Sequence, residues 1–95
     1  MDSRLKKVIE EKIEMAISKE GLEEIIQITD ALPFINNKEE FILGLVIGRI
    51  YNAFHYQTRR ILKRDATKDE FNEFVTLLEE KVDSIKDILE EYRQI

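Results

Sequence analysis

Apolar residues recur along this chain at intervals of three and four positions, the spacing that places side chains on one face of an α-helix. Before Gly21 the apolar residues at helical spacing are Leu5, Val8, Ile9, Ile13, Ala16 and Ile17. After it the periodic positions are Leu22, Ile25, Ile26, Thr29 and Leu32. We predict a first helix that is kinked or split at Gly21 and ends before Pro33, because proline disfavours helix in the residue that precedes it.

A second and longer helical pattern starts after Asn37. Asparagine is a good N-cap, and Glu40 stands three residues later, where the glutamate of a capping box belongs. We expect this helix to run to about Arg64. Its periodic positions are Leu43, Ile47, Ile50, Phe54, Gln57 and Ile61, of which only the glutamine is polar.

The last helical pattern is the most regular one in the chain. It opens on Thr67-Lys68-Asp69-Glu70, a complete capping box. We call its apolar positions the C-terminal seam: Phe71, Val75, Leu78, Val82, Ile85, Leu89 and Tyr92. Because every step is four or three residues, the C-terminal seam predicts one continuous contact with a neighbouring helix.

Composition agrees with an all-α fold in one domain, residues 1–95. The 95 residues include only 3 glycines and 1 proline, too few for the many turns of a hairpin-rich β-fold. A hydrophobic share of 43% beside 37% charged residues is typical of a chain that folds. We therefore predict an up-down-up bundle with two long antiparallel helices and a kinked or split first helix.

The middle helix contains a stretch, residues 41–48, with no polar residue on any face. A helix that is apolar all round is normally buried on all sides, and two other helices cannot cover it. Gly44 and Gly48 form a pair of small residues that lets another helix approach closely. We predict a homodimer, with a different protein partner as the alternative. Its interface residues are predicted to be Phe41, Gly44, Leu45, Val46 and Gly48.

Charge is unevenly distributed along a chain whose formal net charge is −5. Residues 49–64 contain no acid and five cations: Arg49, Arg59, Arg60, Lys63 and Arg64. The last four define an alternative function, nucleic-acid binding, with Tyr51, His55 and Tyr56 available to stack on bases. The structural interpretation is that the last helix folds back and neutralises them, with Glu73 near Arg59 and Asp69 near Lys63. An acidic chain favours this second interpretation, because nucleic-acid-binding domains are normally basic.

The single histidine, His55, restricts the possible chemistry. Without cysteine or a second histidine, the chain cannot build Cys-based zinc sites or paired Glu-x-x-His metal sites, and we predict no metal and no cofactor.

Arg49 and His55 have the spacing Arg-x5-His, which is similar to the loose Arg-x4–6-His pattern of HEPN-type ribonucleases. That resemblance implies a metal-independent ribonuclease, the second alternative, in which the basic residue stabilises phosphate charge and histidine moves a proton. One helix separates the two side chains by about 120°, so that a dimer would be needed to join them.

No segment of the sequence reads as a membrane span or a signal peptide. The apolar stretch from Phe41 to Phe54 is short and is interrupted by Arg49, and the first residues are charged. We expect a cytoplasmic protein that does not enter a membrane. In the absence of a catalytic motif, we interpret the chain as a non-catalytic helical module that associates with itself or with another protein.

Overall fold

A computed structural model describes the backbone of residues 1–93 and the side chains of residues 1–90. Within that range the chain is all-helical, with four α-helices and no strand, which confirms the predicted fold class. The helices are α1 (Ser3–Ala16), α2 (Lys19–Ala31), α3 (Lys38–Leu62) and α4 (Lys68–Arg93). The molecule measures 40 × 23 × 21 Å, and its long dimension is close to the length of α3, about 37 Å at 1.5 Å per residue.

The first helical pattern is split, as predicted, but the break lies at residues 17 and 18 and not at Gly21. The Ser18 hydroxyl donates to the Met15 carbonyl (2.7 Å) and accepts from the Gly21 amide (3.2 Å), so that it caps the start of α2. Gly21 lies inside α2, where a Cβ atom would stand 2.6 Å from the Met15 carbonyl oxygen. Glycine is therefore needed there for the close approach of the end of α1, and the bend itself is made by the cap.

Both capping boxes predicted from the sequence are formed in part or in full. The Asn37 side chain accepts a hydrogen bond from the Glu40 amide at 3.1 Å and starts α3. At the start of α4, the Thr67 hydroxyl accepts from the Glu70 amide (3.2 Å), and the Glu70 carboxylate accepts from the Thr67 amide (2.8 Å). Helix α3 ends at Lys63, which adopts the left-handed conformation with a φ of 60°, a common way for a helix to end.

The hydrophobic core forms where the other three helices meet α3. Its side chains that are less than 2% exposed include Leu5, Ile9, Ile13, Leu22, Val46, Ile50, Phe54, Phe74 and Ile85. Helix α3 approaches α1, α2 and α4, whereas α4 comes within 8 Å of α3 alone, measured between Cα atoms of the described residues. Helix α3 is therefore the central element of the fold.

Val46 belongs to this core, which corrects its predicted place at a dimer interface. Its side chain is fully enclosed by neighbours from its own chain. The uniform stretch from residue 41 to 48 carries no polar position to mark its solvent side. The packing of α1, α2 and α4 against α3 therefore determines which side of this stretch is buried.

The contact face of α4 is rotated relative to the C-terminal seam. Phe74 and Leu77, which are outside the seam, are buried, whereas Phe71 is exposed. The Phe74 ring stacks on Phe54 of α3, with ring centroids 4.3 Å apart and planes within 4° of parallel. Because Phe74 faces α3 in this stack, Phe71, one turn earlier, lies at the edge of the contact between the two helices. Tyr92, the last position of the seam, lies outside the residues whose side chains are described.

Replacing Phe74 tests the importance of the ring stack. We expect Phe74→Ala to lower the free energy of unfolding by about 3–5 kcal/mol, because it removes buried apolar area and leaves a cavity against Phe54. Phe71→Ala is the matched control, and its loss should be about 1 kcal/mol or less, because that ring is partly in water. Urea unfolding followed by circular dichroism measures both values, and equal losses would contradict this account of α4 docking.

Candidate functional site

One side of α3 is left uncovered by the other helices. Gly44, Gly48, Asn52, Tyr56 and Arg60 follow one another at steps of four residues, and all are exposed. Positions four apart are neighbours on a helix surface. The row therefore continues along most of the helix, away from the buried side chains that face the core.

The first half of this side is uncharged, and we call it the glycine face: Phe41, Gly44, Leu45 and Gly48. A Cβ atom built on either glycine would meet no atom within 4 Å. Phe41 and Leu45 are half-buried beside them. Unlike Gly21, these two glycines open a space that their own chain does not fill. The glycine face thus contains four of the five residues predicted at a dimer interface.

At the other end of α3, two of the predicted basic residues have acidic neighbours. The Arg64 guanidinium donates to both carboxylate oxygens of Glu70, at 2.7 and 3.1 Å. The Arg59 guanidinium lies 3.7 Å from the Asp65 carboxylate, and both of these side chains are mostly in solvent. Lys63 forms no ion pair among the described residues.

The neutralising acids differ from those predicted. The Glu73 carboxylate lies 2.5 Å from the amino group of Met1 and is not paired with Arg59. Lys63 and Asp69 also form no ion pair in the part of the chain that the structure describes. The acids that reach the basic residues come from the short connection, Asp65, and from the capping box, Glu70.

Arg60 is held in place by a buried glutamine. Gln57, the polar member of the α3 pattern, is 6% exposed, and its side-chain oxygen accepts a hydrogen bond from Arg60 Nε at 2.8 Å. A buried amide oxygen without a partner would be costly, and Arg60 satisfies it. The Arg60 side chain is otherwise exposed. The sequence marked Gln57 as unusual, and the spacing of three residues to Arg60 was the signal for its partner.

Three aromatic side chains lie between the glycine face and the basic end. The rings of Tyr51 and His55 meet edge to face with centroids 4.6 Å apart. Tyr51 also lies 6.5 Å from Phe74, and His55 lies 5.2 Å from Phe54, both measured between ring centroids. Tyr56 is 58% exposed and forms no ring contact within the described residues.

Arg49 and His55 are not brought together within one chain. The Arg49 guanidinium points to α2, where it lies 3.7 Å from the Glu24 carboxylate. His55 instead packs on aromatic rings beside α4. The rotation of about 120° between the two positions therefore persists in the folded chain.

Comparison with known proteins assigns no family to this chain. No family model, no curated protein and no solved structure matches it. Among the described residues, no helix is sufficiently long and apolar to traverse a lipid bilayer. The same part of the chain contains no cluster of three or more acidic, histidine or cysteine side chains suited to a metal ion.

Glu70 connects the basic end of α3 to the start of α4. Its carboxylate is mostly buried and accepts hydrogen bonds from Arg64 and from the Thr67 amide. The Arg64 guanidinium, and after it the Thr67 amide, lowers the pKa of Glu70 from its ordinary value of 4.5 to about 2. The folded chain favours the charged form of this carboxylate. Its charge therefore stabilises the fold at every pH at which Glu70 is also ionised in the unfolded chain.

The lowered pKa of Glu70 predicts a loss of stability in acid. The contribution is complete above about pH 4.5 and disappears as the pH falls to about 2, because the folded state has the lower pKa. At pH 7 we expect Glu70→Gln to cost on the order of 1–2 kcal/mol, after allowance for solvent around Arg64, and at pH 2 almost nothing. Urea unfolding across this range measures the difference, with Glu79→Gln, an exposed position on α4, as the control. A difference between wild type and Glu70→Gln that stays constant with pH would contradict the prediction.

Proposed function

We propose that this chain is a non-catalytic, self-associating helical module that forms a homodimer through the glycine face. In this proposal α1 and α2 form one broken rod of an up-down-up bundle, and α3 and α4 are its two long antiparallel helices. The supporting observation is the open space over Gly44 and Gly48. Each glycine inside a helix costs about 1 kcal/mol relative to alanine, and close packing of a second helix would offset that cost.

Charge favours a second copy as the occupant of the glycine face. Two chains with a net charge of −5 repel each other, and an uncharged contact brings no acid against an acid. Helix α3 is also polarised, with Glu39 and Glu40 in its first turn and Arg59 and Arg60 in its last. In a two-fold antiparallel pair that crosses at Gly44 and Gly48, Arg59 and Arg60 lie about 20 Å from the crossing, beyond the first turn of the other α3, and take no part in the contact. The two helix dipoles run in opposite directions in such a pair, which favours it. By the same symmetry a second copy presents an identical uncharged face, which a partner of unrelated sequence need not have.

The expected dimer is weak. Phe41 and Leu45 are already half-buried in the monomer, so that their complete burial adds about 1 kcal/mol each, and two-fold symmetry doubles the gain. Contact between the helix backbones at the glycines adds dispersion energy. Association also costs several kcal/mol in translational and rotational freedom, and so small an apolar face leaves little surplus, which leads us to expect a dissociation constant of about 0.1–1 mM.

Enlarging the two glycines separates dimerisation from folding. We expect the double variant Gly44→Gln/Gly48→Gln to raise the dissociation constant at least about tenfold, because its side chains occupy the space of the second helix. Its thermal stability as a monomer should be unchanged or higher, because no atom of the chain lies near either Cβ and glutamine favours helix more than glycine does.

Sedimentation equilibrium measures the dissociation constants over protein concentrations of about 10 µM to 2 mM, a range that brackets the expected value. Ser84→Gln, at an exposed position on α4, is the matched control and should dimerise as the wild type does. A wild-type chain that remains at its monomer mass of 11.3 kDa throughout would overturn the proposal. A dimer that the double glycine variant leaves intact would move the interface elsewhere.

A further inference from the structure

The second half of α3 presents another surface, which dimerisation through the glycine face does not use. We call it the aromatic–basic face: Tyr56, Arg59, Arg60 and Lys63, all of them exposed. Arg59 and Arg60 follow the tyrosine by three and four residues, which are the spacings of one helix side, and Lys63 follows at the left-handed residue that ends the helix. We propose that this face binds single-stranded nucleic acid, with phosphates on the cations and a base stacked on Tyr56.

The cations of this face differ in how far their own chain engages them. Arg60 is oriented by its 2.8 Å hydrogen bond from Nε to Gln57, which leaves the other guanidinium nitrogens free to donate to a phosphate. A side chain that is already held loses less freedom on binding. Lys63 has no ion pair within the described residues and stands where the helix ends.

Arg59 is available because its ion pair is weak. Its guanidinium is 3.7 Å from the Asp65 carboxylate, and the two side chains are 58% and 85% exposed. Surface pairs of this kind contribute little, and a phosphate can replace the carboxylate. Arg64 is different, because Glu70 accepts two hydrogen bonds from it. We therefore leave Arg64 out of the binding face.

Tyr56 distinguishes a single strand from other polyanions. An aromatic ring that lies among cations, and that no other ring covers, can stack on an unpaired base while the cations follow the backbone. In a duplex the base faces are already stacked on each other. An acidic peptide would use the cations alone and would gain nothing specific from the ring. Exposure of Tyr56 therefore favours single-stranded RNA or DNA.

The rest of the chain limits how strong this binding can be. The net charge of −5 repels a polyanion at long range, and Asp65 and Asp69 follow the face in sequence. Few phosphates can be contacted by three cations. We therefore expect binding that is measurable at low salt and falls steeply as salt is added, with a slope near −2 in a double logarithmic plot, about −0.7 per phosphate.

Fluorescence anisotropy of labelled single-stranded RNA and DNA oligonucleotides tests the proposal, at about 20 and about 150 mM salt. We expect Arg59→Glu/Lys63→Glu to weaken binding at least about tenfold and to flatten the salt dependence, because charged contacts are lost. Tyr56→Ala should weaken binding about fivefold or more with an unchanged salt slope, because stacking releases no counterions. Circular dichroism verifies that each variant is folded.

The matched control is Lys38→Glu/Lys86→Glu, which changes the net charge equally at two exposed positions near the start of α3. It should retain most of the affinity, because Lys38 stands at the first residue of α3, about 27 Å along the helix from Tyr56, and Lys86 lies beside Leu43 at the same end. The proposal is overturned if the wild type shows no saturable binding at low salt, or if the control variant loses as much affinity as Arg59→Glu/Lys63→Glu. Equal competition by polyglutamate, with no effect of Tyr56→Ala, would also overturn it and would assign the face to an acidic protein.

Discussion

The burial of one side of α3 is the constraint on which the rest of this structure depends. Val46, Ile50 and Phe54 lie at steps of four residues and are enclosed by side chains of the other three helices. A chain of this size has no further element among its described residues with which to cover the opposite side of α3. That side is left to solvent or to another molecule.

The uncovered side of α3 changes in chemistry along its length, and part of this change serves the helix itself. Acids in the first turn and cations in the last turn both complement the helix dipole. Helix stability alone does not account for the exposed Gly44 and Gly48, which weaken a helix, or for the exposed ring of Tyr56. These are the residues on which our two proposals depend. Arg49 and His55 lie on different sides of α3, and the ribonuclease alternative gains no support from a single chain.

Much of the candidate site could be identified from the sequence, because its residues are close together along one helix. The glycine pair and the run of cations are visible as spacings. The ion-pair partners of Arg59 and Arg64 could not be predicted, because they depend on how the chain turns between α3 and α4. Glu73 illustrates this limit, since the fold directs its carboxylate to Met1 and not to Arg59.

Helix type and helix starts follow from the sequence, because each depends on residues within one or two turns. Asn37 with Glu40, and Thr67 with Glu70, cap their helices through contacts that span three residues. Burial is different, because it depends on side chains far apart in the chain. In the apolar run from residue 41 to 48, periodicity gives no direction, and the packing of α1, α2 and α4 against α3 selects which side chains are enclosed.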